Sequence, residues 1–209
     1  MLERLKTVIF HNRKRRNFFR LVAKNFQEDS DEYRLIRKAY FVARHEFFTI
    51  KRRDGDRYFY HKVAVAVILL AYLGVKDANL IAAALLHDIV EDIKGWTKLR
   101  VEREFNSDVA NLVEAVTKPK RSLFGVHEHK FERATFAKVR VGGHRAITLK
   151  LADRLHNMIT LWGAPEKKRA KTLETLRYVL PLAVEINTLW QELTVACGQQ
   201  LNENAPCFF

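Results

Sequence analysis

Hydrophobic positions along this chain recur mostly at helical spacing. From Asp31 onward, Tyr33, Ile36, Tyr40, Phe41, Ala43 and Phe47 fall roughly one turn apart, which puts them on one face of a helix. The polar run Lys51-Arg52-Arg53-Asp54-Gly55-Asp56-Arg57 then reads as a loop, with Gly55 as its turn residue. A second helix is expected from Tyr58 to Leu73, stopped by Gly74, and a third from Ala78 to Ile93 with Asp77 as its N-cap. The stretches Val63 to Leu73 and Leu80 to Leu86 have no polar stripe, so both belong in the interior. Further helices are expected over Thr97 to Thr117, His144 to Trp162, and Pro165 to about Leu193 with a bend at Pro181. Residues 118–135 read as an irregular basic loop. No segment alternates as a strand does, so the fold class is all-α, a bundle of about six or seven helices.

Composition narrows this picture. A length of 209 residues suits one domain with short extensions, and only eight Gly and four Pro argue against a turn-rich β architecture. The two cysteines, Cys197 and Cys207, make no disulfide framework. The N-terminus lacks the apolar core of a secretory signal, and the longest apolar run is eleven residues, too short for a bilayer. A cytoplasmic protein without membrane contact is the expectation. The net charge of +13 suits polyanionic ligands. Residues 1–30 form a basic helical extension containing Arg13-Lys14-Arg15-Arg16. Contact with RNA, ribosomes or membranes competes there with a solvated helix packed on the core, and the second reading is favoured because charge runs are usually solvated.

Three places carry candidate chemistry. His87-Asp88 and Glu91-Asp92 follow directly on the apolar run Leu80 to Leu86. On a continuous helix His87 would stack on Glu91, and Asp88 on Asp92. Acids and an imidazole brought so close together need a counter-charge, either a bound cation or a cluster of arginines. Asp153 and Asn157 share a face of the expected helix His144 to Trp162, and His61 stands at the head of the apolar run on the second helix. Two histidines and two aspartates would make an octahedral nitrogen and oxygen site, suited to Mn, Fe, Zn or Mg. His156 reads as structural.

At these residues the sequence resembles the hydrolase domain of the RelA/SpoT alarmone enzymes, and above all their stand-alone relatives, the small alarmone hydrolases. The resemblance runs through Arg52-Arg53-Asp54-Gly55-Asp56-Arg57-Tyr58 to His61, then Ala82 to Asp92, Val113 to Lys118, Lys150 to Met158 and Glu174 to Ala183. It implies an HD-type phosphohydrolase bundle over residues 31–195, followed by a tail over 196–209. One Mn2+ would be held by His61, His87, Asp88 and Asp153, with Fe2+, Zn2+ or Mg2+ as alternatives. Glu91 and Asp92 would activate and place the attacking water. Arg52, Arg53 and Asn157 would bind a small-molecule nucleotide, and the reaction would release pyrophosphate from the 3′ position of ppGpp or pppGpp. The chain departs from the pattern at Asp56, a shorter acid than usual, at Ile159 where Arg is usual, and across 118–135. These departures keep other readings in play: adenine alarmones, the 2′-phosphate of NADPH, or a metal-free basic bundle that binds RNA. The oligomeric state is open.

Overall fold

The computed structural model describes residues 1–52 and 55–202. Among these residues every element is a helix, joined by loops, and the one β contact is an isolated antiparallel bridge, Lys51 to Arg57. Two helices, α1 (Leu2–Asn12) and α2 (Arg15–Ala23), form the N-terminal segment. The long α3 (Asp31–Phe47) begins where the Ser30 hydroxyl accepts from the Tyr33 amide at 3.1 Å, satisfying one of the orphan donors at the helix start. Of the expected stripe Ile36, Tyr40, Ala43 and Phe47 are buried, joined by Ala39, whereas Tyr33 is only partly covered and Phe41 is exposed, being one position round the helix from Tyr40.

The helices α4 (Tyr58–Val67) and α5 (Ala78–Leu86) are buried on nearly every side. A π-helical turn, Ile68–Tyr72, extends α4, and Gly74 ends it at φ +66°, a left-handed conformation that glycine adopts without strain. Asp77 caps α5 as expected, accepting from the Leu80 amide at 3.0 Å. Ile81, Leu85 and Leu86 are fully buried, each worth about 1.5–3 kcal/mol of transfer free energy.

Several expected helices divide, so the bundle has more and shorter elements than the pattern suggested. The segment Ala78 to Ile93 is broken at His87-Asp88, and α6 (Ile89–Asp92) resumes beyond. Asp88 leaves helical geometry at φ −105° and ψ 7°. The segment Thr97 to Thr117 is two helices, α7 (Lys98–Glu104) and α8 (Ser107–Val116). Asn106 separates them: its side chain caps α8 by accepting from Val109 at 2.8 Å, and its backbone is extended. A short polar side chain that can bond to its own backbone competes with helix continuation in this way.

Residues 118–135 are not wholly irregular, because α9 (Glu128–Val141) begins inside them and buries Thr135, Phe136 and Val139. The next helix, α10 (Gly143–Ile159), ends three residues before Trp162. The last expected helix is four pieces: α11 (Pro165–Glu174), a π turn over Thr175–Val179, α12 (Leu180–Glu185) and α13 (Trp190–Asn202). Asn187 and Leu189 have positive φ between α12 and α13, and this reversal lets α13 pack on α10 and α11.

The helices α4, α5 and α10 pack on one another, with α3 against α4 and α5, and α8 against α5 and α10. The centre of the molecule is where these apolar helices meet, and the chemistry-bearing residues lie there. No described helix is long and apolar enough to cross a membrane.

Candidate metal centre

Three helices deliver the residues singled out in the sequence to one place. His61 comes from the first turns of α4, His87 from the end of α5, Asp88 from the break that follows, and Asp153 from the middle of α10. Each of His61, His87 and Asp88 offers a ligand atom within 4.8 Å of the other two. Asp153 Oδ1 lies 3.2 Å from His61 Nε2 and 3.7 Å from His87 Nε2, while Asp88 Oδ2 lies 3.1 Å from His87 Nε2. Ligands at about 2.1–2.2 Å from a metal sit about 3 Å apart along an octahedral edge, so these separations suit a common ion.

The orientation of the imidazoles makes the same point. The Nδ1 of His87 is 2.8 Å from the carbonyl oxygen of Ala84, which can only accept, so Nδ1 carries the proton. Nε2 is then the nitrogen turned toward Asp88 Oδ2 and Asp153 Oδ1, an acceptor-rich point into which the Lys62 ammonium already reaches and which a cation suits. His61 is pushed down to about 3, chiefly by burial with the charge of Lys62 adding to it, which leaves it neutral at ordinary pH. Its Nδ1 is 2.8 Å from His156 Nδ1, and its Nε2 faces Asp153. His156 therefore stands behind His61 and fixes which nitrogen is offered, the usual role of a group bonded to the far nitrogen of a metal-binding histidine. The donor set fits a divalent ion.

The acids are not left unpaired. Lys62, fully buried beside His61, forms an ion pair with Asp88, and its Nζ lies 3.4 Å from His87 Nε2. Lys150 Nζ is 2.9 Å from Asp153 Oδ2, and Lys118 Nζ is 2.5 Å from Glu91 Oε1. The counter-charge within the protein is thus supplied by lysines rather than arginines. Burial works against ionisation of Asp88 and Asp153, but His87 and Lys62 for the first, and Lys150 and His61 for the second, hold both well below the usual carboxylate range. The Tyr58 hydroxyl donates to Asp88 Oδ2 at 2.7 Å, and burial followed by the Asp88 charge pushes its ionisation upward, so it remains a donor.

The two acids expected to act on water both lie on α6, beyond the helix break, but their side chains take different partners. Asp88 caps α6, and its carbonyl accepts from the Asp92 amide at 2.8 Å, so Asp88 and Asp92 remain one turn apart. The expected stacking of His87 on Glu91 is lost, because those residues no longer share a helix. Glu91 turns to Lys118. Asp92 instead lines a cavity of about 770 Å³ together with Arg52, Tyr58 and Asn157. Burial first, and the neighbouring Asp88 charge second, raise the Asp92 carboxyl above its ordinary value.

The cavity is cationic. Lys51, Lys167 and Lys171 join Arg52 on its walls, and Trp162, 64% exposed, stands at its edge. Arg52 donates to Asn157 Oδ1 at 3.1 Å and to Thr160 Oγ1 at 3.2 Å, and Asn157 donates to Asp153 Oδ1 at 2.6 Å. A continuous set of hydrogen bonds thus links the cavity wall to the centre. Arg53, the other expected substrate-binding residue, lies outside the described residues. The sequence reading missed Lys62, Lys150 and the part played by His156; the signal for the lysines was a charged residue set inside an apolar run.

Comparison with known proteins agrees with this geometry. The profile of the HD domain family matches residues 39–185. The chain is 39% identical over 150 residues to a probable GTP pyrophosphokinase of Mycobacterium leprae, covering 71% of this chain and 19% of that protein. It is 39% identical over 158 residues to the bifunctional (p)ppGpp synthase/hydrolase SpoT of Escherichia coli K12, covering 73% and 22%. It is 40% identical over 153 residues to the guanosine-3′,5′-bis(diphosphate) 3′-pyrophosphohydrolase of Aquifex aeolicus, covering 71% and 21%. The chain therefore spans about a fifth of the length of these relatives. A solved structure described as a metazoan ortholog of SpoT that hydrolyzes ppGpp shares the fold, with a TM-score of 0.66 and 22% identity, over 86% of this chain and 99% of that one. With the paired histidines and aspartates gathered between apolar helices and the profile spanning most of its length, the chain belongs to the HD domain family.

Proposed function

We propose that the protein is a manganese-dependent hydrolase that removes pyrophosphate from the 3′ position of ppGpp or pppGpp, leaving GDP or GTP. The observation that carries this reading is a cavity walled by Lys51, Arg52, Lys167 and Lys171 that reaches Asp92 and Asn157 beside the His61, His87 and Asp88 cluster, with Asp153 against both histidines. A nucleotide with diphosphates at both ends is strongly anionic, and four cations around one cavity suit it. The relatives named for this chemistry point the same way.

In this reading His61, His87, Asp88 and Asp153 hold the ion. When bound, a divalent ion supplies a Lewis acid that lowers the pKa of water and polarises a phosphoryl oxygen. The chain's own groups do the rest. Arg52, braced by Asn157 and Thr160, presents guanidinium nitrogens to phosphate, which they match with paired hydrogen bonds. Arg53 is assigned to the same polyanionic arm by the family resemblance alone. Asp92, raised but still acidic, accepts a proton from the attacking water at the cavity wall. Glu91, held by Lys118, acts through placement of that lysine rather than on the water. Trp162 offers an exposed aromatic face on which a base can stack. A substrate of this kind places the reaction in the cytoplasm.

The test is direct. Purified protein given Mn2+ and ppGpp should release pyrophosphate, and Asp88→Ala should abolish release while Glu91→Gln retains part of it. A panel containing ppGpp, the adenine counterpart and NADPH separates the readings by substrate. If Mn2+ binds but none of the three turns over, the phosphohydrolase reading fails.

A further inference from the structure

A second cationic surface lies away from the cavity and shares no lining residue with it. Five exposed cations, Arg15, Arg16, Arg20 and Lys24 from α2 and its C-terminal end and Arg37 from α3, surround a groove of about 760 Å³. Glu28 is the one acid among the groove's described lining residues. Elsewhere some surface cations are paired, as in Lys6 with Glu3, Lys138 with Glu114 and Arg140 with Glu185, while others stand singly, and what marks the groove is five cations gathered around one concavity with a single acid. Among the described residues, none of the five groove cations makes an ion pair.

Two further features set this groove apart from a solvated face. Arg15 and Arg16 occupy the first turn of α2, which holds no acidic residue. Cations at a helix N-terminus oppose the helix dipole, so their placement works against the stability of α2. The floor of the groove is aromatic. Phe19 and Phe41 stack with centroids 6.1 Å apart and planes 23° apart, Arg37 lies 5.7 Å from the Phe41 ring, and Phe41 is 38% exposed. Tyr33 packs beside Phe19 at 6.1 Å.

We propose that this groove binds single-stranded nucleic acid, with the phosphodiester backbone along the five cations and a base against the exposed part of Phe41. A cationic groove with an aromatic platform is how proteins hold single strands without reading sequence. The groove is wide and open, with Phe19 and Tyr33 partly covered and Phe41 exposed, which suits a strand laid along it. A membrane surface would instead need apolar side chains that protrude. The sequence alone favoured a solvated helix packed on the core for residues 1–30, and α1 and α2 do pack on the core through Leu2, Leu5, Ile9, Phe18 and Val22; the proposal concerns the cations on the outer face of α2. The proposal stands apart from the hydrolase reading.

The test is fluorescence anisotropy of the full chain, loaded with Mn2+, with labelled oligo-U and oligo-dT of about 12 nucleotides. Micromolar binding is expected, with the logarithm of affinity falling against the logarithm of salt at a slope of roughly −3, as about four neutralised phosphates predict. The two oligonucleotides separate RNA from DNA as the source of the strand. Arg16→Glu combined with Arg37→Glu should weaken binding at least about tenfold, because each reversal replaces an attraction with a repulsion. The melting temperature should not fall, since an acid in the first turn of α2 suits the helix dipole, and Asp153→Ala should bind the strand as the wild type does, separating this groove from the metal centre. Absence of binding at about 50 mM salt, binding that the double variant leaves intact, or capture by phosphatidylserine vesicles with no binding of either strand would each overturn the proposal.

Discussion

The buried ammonium of Lys62 is the counter-charge that lets Asp88 remain ionised inside the protein before any ion arrives. Removing one partner of a buried pair leaves the other charge uncompensated, at a cost of roughly 3 kcal/mol or more. Lys62→Met should therefore lower the melting temperature of chelator-treated protein by on the order of 10 °C. Mn2+ should restore more of the loss than it adds to the wild type, since the variant centre carries more negative charge. Calorimetry with chelator and with Mn2+ checks both; equal melting of variant and wild type would show that the pair carries no stability. A second titratable lysine faces the cavity. Lys171 is brought down from the ordinary lysine value to about 8, by burial first and then by the positive charge of Arg154. Its ammonium is present below pH 8 and lost as pH rises through it, so attraction for a polyanion fades in that direction. The KM for the nucleotide should rise above pH 8, and Lys171→Arg, which stays charged, should flatten that limb of the profile. Residues such as His61, His87, Asp88 and Asp153 were legible in the sequence because polar groups in apolar runs must find partners. Which lysine meets which acid was not legible, because Lys62 and Asp88 are 26 positions apart and meet only when α4 packs on α5.

Among the helices, the joint between α9 and α10 shows two glycines needed for different reasons. A Cβ on Gly142 would stand 2.6 Å from the Ala115 Cβ and 2.7 Å from the Ala146 Cβ, although its φ of −65° suits any residue. Gly143 has open space around it but sits at φ +77°. Gly142→Ala should destabilise by about 1–3 kcal/mol through overpacking, and Gly143→Ala by about 1–2 kcal/mol through backbone strain. Gly143→Asn should be milder than Gly143→Ala, since Asn tolerates the left-handed region, whereas no larger residue should rescue position 142. Urea midpoints of the four proteins decide this. The sequence started a helix at His144, directly after Gly142-Gly143, but could not assign these glycines their separate roles. The break at His87-Asp88 escaped for a related reason: periodicity reports which residues are apolar, and a helix that stops for one residue and resumes keeps the same apolar pattern.

Across the whole molecule, the N-terminal helix is joined to the site it does not itself form. Leu2, Leu5 and Ile9 bury one face of α1, which packs on α4 and the π turn beyond it. Arg13 holds Asp56 at 2.9 Å on the loop that also carries Arg52, and a small cavity of about 210 Å³ lies between α1 and the pair His61 and His156. Leu5→Ala should cost about 2–5 kcal/mol. Arg13→Ala should cost under about 1 kcal/mol, as exposed pairs do, yet raise KM by loosening the loop under Arg52, with kcat little changed. Steady-state kinetics of the two variants distinguish anchoring of the fold from anchoring of the loop.

The amino-acid sequence by itself determined that the chain is helical, that its middle helices are buried, and that two histidines and two aspartates interrupt apolar stretches where charge is costly. Those features are local, set by spacing along a helix and by the preference of apolar side chains to leave water. The tertiary structure decided the rest: that His156 backs His61, that lysines rather than arginines neutralise the acids, that Asp92 and not Glu91 faces the cavity, and that unpaired arginines of α2 and α3 close around one groove. Each of these depends on which helices pack together and how they are rotated, and that is settled by side-chain packing between segments far apart in the chain.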